Sequence, residues 1–172
     1  MRAINKVRLG IVGIVAVVGA GFGVRYMLRE HFLAPFNERI GEYTSALKIG
    51  ADTPATPGAG IKGNAIVIDQ RANKCDHLYF DLPPELQAAS PEAVQTVVWV
   101  DWTEHEYCKY TNGATGYIYV ANVSVIDKTG PTLVGKQTFQ GGTPPSSTKN
   151  HGSVYGSKPT DQIVSFVQAL RK

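Results

Sequence analysis

Residues 95 to 102 read QTVVWVDW. Side chains alternate across a strand, so Val97, Trp99 and Asp101 share one face and Val98, Val100 and Trp102 the other. The β-branched and aromatic content makes this the strongest strand signal in the chain. HEYCKYT, residues 105 to 111, follows across a short turn and reads as the second arm of a hairpin. Two further runs, TGYIYVANVSVID (115 to 127) and TLVGKQTFQ (132 to 140), flank KTGP, a hairpin turn with Gly130 free to take a positive φ.

Upstream, NAIVIDQ (64 to 70) and DHLYFDL (76 to 82) read as two short strands. Between them and the central run, PPELQAASPEAV offers two short helical starts. Pro84 and Pro91 fit first-turn positions, and Ser90 is a candidate N-cap. Downstream, a long polar loop at 141 to 159 leads into a final helix. Thr160 is its expected N-cap, and Ile163, Phe166, Val167 and Leu170 fall at i, i+3, i+4 and i+7.

The fold class that follows is α+β: a small antiparallel sheet of about five or six strands covered by a C-terminal helix, preceded by an N-terminal transmembrane helix. The expected core is Ile66, Ile68, Val98, Val100, Val123, Val125, Ile163, Phe166 and Leu170.

The membrane reading rests on LGIVGIVAVVGAGFGV, residues 9 to 24, which carries no charge. Extended through Leu28 it reaches the roughly 20 residues that cross a ~30 Å hydrocarbon core. Gly19, Gly21 and Gly23 also raise a dinucleotide-binding loop. Their spacing is G-x-G-x-G instead of G-x-G-x-x-G, and no strand carries an acidic residue at the required distance. A cleaved signal peptide is the other competitor, with its apolar region at 11 to 18 and a small-residue site ending at Ala20. The apolar run is long for that, so a retained signal-anchor is the expectation.

The expected layout is a cytoplasmic tail at 1 to 8, an anchor at 9 to 28, a stalk helix and Gly/Pro linker at 29 to 60, and an exoplasmic α+β domain at 61 to 172. Phe36, Ile40, Tyr43 and Leu47 give the stalk a helical stripe, and Pro35 is expected to start or kink it.

The chain has 17 basic and 14 acidic residues. Five of the basic ones (Arg2, Lys6, Arg8, Arg25, Arg29) fall before residue 30, where there is no acid. The remainder is therefore slightly acidic, without the basic stripe that nucleic-acid binding requires. The expected partners are the membrane and an envelope protein.

Cys75 and Cys108 are the two cysteines. In an oxidising compartment they are expected to form a disulfide, worth about 3–4 kcal/mol for a loop of this length. A less favoured alternative joins them with His77 and His105 in a tetrahedral zinc or copper site, although the usual ligand spacings are missing. No cofactor is expected.

The polar loop supplies a candidate binding set of Lys149, His151, Tyr155 and Lys158. Ser146 and Ser147 near His151 lack a nucleophile-elbow motif and an orienting acid. Asp101, Glu104 and Glu106 form an acidic cluster near Trp102, and Asn122-Val-Ser124 matches the N-glycosylation pattern. With no catalytic constellation, the reading is a non-enzymatic, membrane-tethered binding domain. A metal-binding or redox accessory domain is the alternative.

Overall fold

The computed structural model describes residues 23–44, 54–130 and 132–171. The chain divides into two compact units, residues 1–35 and 36–172. The described part of the first, residues 23–35, is helical. Of the expected anchor, residues 9 to 22 lie outside the described residues. Among those described, no helix is long and apolar enough to cross a membrane.

The second unit is α+β, with a mixed six-stranded sheet and a C-terminal helix. Its strands are β1 (Ala65–Asp69), β2 (Lys74–Cys75), β3 (Thr96–Lys109), β4 (Thr115–Asp127), β5 (Thr132–Gln140) and β6 (Ser153–Tyr155). The order is β2-β1-β3-β4-β5, and β6 pairs with β4. The sheet is not wholly antiparallel as expected: β1 runs parallel to β3, and β6 parallel to β4. A parallel pair needs a crossover of a dozen or more residues, and residues 70–95 provide one for β1 and β3.

The central hairpin differs most from expectation. No turn interrupts residues 103 and 104, and β3 runs unbroken from Thr96 to Lys109. Its residues pair along β4 from Thr96 opposite Asp127 to Lys109 opposite Thr115, with Tyr107 left as the extra residue of a β-bulge between Glu106 and Cys108. The reversal comes at residues 110–114, where Tyr110 N–H donates to the Ala114 carbonyl at 2.9 Å. Gly113 sits there at φ 85°, a conformation costly for a residue with a Cβ. Gly130, free to take a positive φ, does not use that freedom.

The segment 76–82 is also not a strand. His77–Asp81 forms a 3-10 turn, because the Asp76 carboxylate accepts the Leu78 N–H and starts the coil. Pro84–Leu86 and Pro91–Ala93 are short 3-10 turns, as the prolines suggested, but Ser90 makes no side-chain cap. The C-terminal helix spans Thr160–Ala169. Its N-cap is Pro159, not Thr160, and Ile163 and Val167 are its fully buried residues.

At one end the sheet is covered on both faces. Ala65 through Ile68 and Val97 and Val98 are all buried, although successive side chains point opposite ways. The C-terminal helix covers the face of Val98, Val123 and Val125. Gly135, opposite Val125, leaves room for it: a Cβ there would lie 2.7 Å from Leu170 and 3.1 Å from Phe166.

Residues 36–44 belong to this unit too, through contacts instead of standing as a stalk. Asn37 Oδ1 accepts the Cys75 N–H at 2.7 Å, the Phe36 ring lies 6.2 Å from Tyr79, and Tyr43 is wholly buried. Burial pushes the phenols of Tyr43 and Tyr79 up to about 12. Thr56, read as linker, donates a backbone bond to the Leu133 carbonyl, and Ile61, the expected first residue of the domain, donates one to Leu170.

Candidate functional site

Beyond Val100, β3 keeps only β4 as a strand partner among the described residues. The even-numbered side chains Trp102, Glu104 and Glu106 stand on one face, opposite Ala121, Tyr119 and Tyr117. Tyr117 is in turn the register partner of Tyr155 on β6. The Tyr155 ring stacks on Tyr117 at 5.5 Å and on Tyr119 at 5.4 Å. Lys158, three residues on, places its Nζ 4.1 Å from the Trp102 ring centroid and 5.4 Å from that of Tyr119. The result is a row of side chains: Tyr117, Tyr155, Tyr119, Lys158, Trp102.

At the Trp102 end this row walls an open pocket of ≈ 420 Å³, lined by Asp69, Arg71, Trp102, Glu104, Tyr119 and Lys158. Several parts are fixed from behind. Trp102 Nε1 donates to Asp76 Oδ2 at 2.7 Å, which sets the indole plane. Asp69 Oδ1 accepts the N–H groups of Arg71 and Ala72, both at 2.9 Å, closing the turn after β1. The Arg71 guanidinium is held by Asp101 at 2.8 Å. Burial, and after it the Glu104 carboxylate and Tyr155, raise the Tyr119 phenol above its ordinary value. Aromatic walls, two carboxylates and a lysine ammonium suit this pocket to holding a polar or charged group against rings.

The sequence-derived sites fare unevenly. Neither cysteine is in a disulfide, so the expected Cys75–Cys108 bridge is not formed. Register gives the reason. Cys75 pairs with Ile68, which pairs with Trp99, and Cys108 lies nine positions further along β3. At about 3.3 Å per residue that is roughly 30 Å, against the roughly 4–7 Å between Cα atoms that a disulfide spans. The same separation divides the alternative metal set. His77 lies in a 3-10 turn with its ring edge-on to Phe80, and His105 lies on the outer part of β3 beside Thr103. Among the described residues no three His, Cys, Asp or Glu gather as metal ligands.

The loop set splits in two. Tyr155 and Lys158 join the aromatic row. Lys149 and His151 are exposed beside the β3–β4 turn, where His151 Nδ1 lies 3.3 Å from the Asn112 carbonyl oxygen. Ser146 and Ser147 are exposed. The acidic cluster splits as well, because alternation sends Asp101 to the face opposite Glu104 and Glu106. Asn122 is exposed on β4, its Oδ1 accepting from Thr138 at 2.7 Å.

Sequence reading missed Asp69, Arg71 and Tyr119 as site residues and saw Trp102 as a strand residue near an acidic cluster. The alternation in TGYIY places Tyr117 and Tyr119 on one face, but nothing local brings Lys158 to them. Searches for a matching protein family, a similar curated protein and a similar solved structure returned no match.

Proposed function

We propose that this chain is a membrane-anchored, non-enzymatic binding protein. In this reading its sheet domain lies outside the cytoplasm and engages an envelope protein or surface component through the Trp102–Tyr119–Lys158 cleft. The observation that carries the reading is the cleft itself. Aromatic rings and opposite charges converge there on the domain surface, where β3 has run past the end of β1. The anchor is supported by the helical stretch that continues the apolar run. Val24, Tyr26, Met27 and Leu28 are 58%, 55%, 72% and 64% exposed, an apolar concentration that suits lipid better than water. Arg25 and Arg29 have stems long enough to reach headgroups from that level.

The test places a photo-crosslinking residue at Tyr155 in whole cells, with Asn122 on the opposite face as control. A discrete adduct at position 155, absent at 122 and lost when Val15→Arg releases the chain from the membrane fraction, is expected. Equal labelling at the two positions, or unchanged sedimentation of the Val15→Arg chain, overturns the reading.

A further inference from the structure

We propose that the cleft is a cage for organic ammonium cations and that the chain's own Lys158 occupies it as an internal ligand. This deepens the binding reading above and rests on it. A cation within about 6 Å of a ring face is attracted by the ring quadrupole, most strongly at Trp. Lys158 Nζ meets that condition at two rings, 4.1 Å from Trp102 and 5.4 Å from Tyr119. The lysine is exposed, and among the described residues its ammonium makes no ion pair. What holds it is therefore the pair of rings.

The rest of the lining points the same way. Asp69 and Glu104 contribute two carboxylates, and Arg71, the other cation, is committed to Asp101. With Lys158 removed, the cleft offers two ring faces and an unbalanced negative charge. The rings are also set in advance, Trp102 by Asp76 and Tyr119 by its stack on Tyr155. Such preorganisation raises affinity by reducing the ordering that binding requires.

Lys158 enters from the short connection between β6 and the C-terminal helix. Displacing it needs rotation of one exposed side chain and no refolding. A lysine side chain presented by a partner, or a quaternary ammonium group, carries the chemistry that would take its place.

The experiment is titration calorimetry on the full chain in a micelle free of choline groups. N-acetyl-lysine amide and tetramethylammonium are the two ammonium probes, and N-acetyl-norleucine amide is the uncharged control. Lys158→Met keeps the apolar stem and removes the charge. If Lys158 fills the cage nine-tenths of the time, the variant binds an ammonium probe about tenfold more tightly than the native chain. Adding Glu104→Gln, also at an exposed position, weakens that binding several-fold. Which of the two probes binds tighter separates a peptide lysine from a choline-type source. Equal affinity of native and Lys158→Met chains, no saturable binding by the variant, or binding of norleucine amide as strong as that of lysine amide overturns the cage. A photo-adduct at position 155 that survives any of these results leaves the broader binding reading standing.

Discussion

The two halves of β3 differ in almost everything except their backbone. From Thr96 to Trp102 the burial alternates only between complete and partial. From Thr103 to Lys109 the side chains lie mostly in water. Both halves pair with β4, so hydrogen bonding to one neighbour is common to them. The inner half adds β1 on its other edge, from Thr96 to Val100, and side chains buried on both faces. The outer half has neither among the described residues, and its Glu104, Glu106, Lys109 and bulge are the features by which exposed edges resist pairing with other chains. One strand can thus serve as core at one end and as solvent-facing surface at the other. The backbone ladder meets its own polar groups in both places, and only burial differs.

The comparison breaks most sharply under one charge placed at both ends. Val98→Asp puts a carboxylate at a position with no exposed surface. It is expected to cost more than about 4 kcal/mol and to leave the domain unfolded in urea titration. A folded Val98→Asp domain would mean that the inner half is not the core.

A smaller effect is expected where the helix meets the sheet. Gly135→Val pushes its Cβ into Leu170 and Phe166. Their side-chain ends can shift, so a loss of about 1–3 kcal/mol is expected, read as a lower melting temperature with the helical circular dichroism retained. No loss would detach the helix from that face.

The inner end also carries a titrating group. Burial opposes the charge on Asp127, but hydrogen bonds from Lys62 and from Thr129 outweigh it and hold the carboxyl below its ordinary value. A depressed carboxyl pKa stabilises the fold above the unfolded value of about 3.9, and that stability is lost as pH falls through the folded value. The urea midpoint of the native domain should fall with acid below about pH 4, more steeply than that of Asp127→Asn. Parallel acid limbs would show that Asp127 contributes nothing to this dependence.

The smallest effect completes the first test. Tyr107→Asp, the same kind of charge at a position 53% exposed on the outer half, is expected to change stability by no more than about 0.5 kcal/mol. A loss near that of Val98→Asp would abolish the distinction between the halves.

Much of the domain was legible from local pattern. β5 spans the same residues as its run of alternation, β4 matches its run from end to end, and β1 lies within its own. Ile66, Ile68, Val98, Val100, Val123, Val125 and Ile163 are all buried as expected, while Phe166 and Leu170 are only partly so. These elements announce themselves because burial on a strand or helix face repeats with the period of the backbone. The polar stretch TEHEYC, residues 103 to 108, has no such signal, and its start reads as a turn. It becomes strand because β4 offers it a ladder.

The sequence by itself therefore determined the elements whose own side chains are buried: β1, β4, β5, the inner part of β3 and the C-terminal helix. Tertiary structure alone decided that β1 and β6 run parallel to their neighbours, that β3 continues outward, that Cys75 and Cys108 stand far apart, and that Lys158 reaches Trp102. The physical reason is range. A hydrophobic period is written in neighbouring residues. Register, strand direction and the meeting of an ammonium with a distant ring depend on which backbone groups find one another across the whole fold.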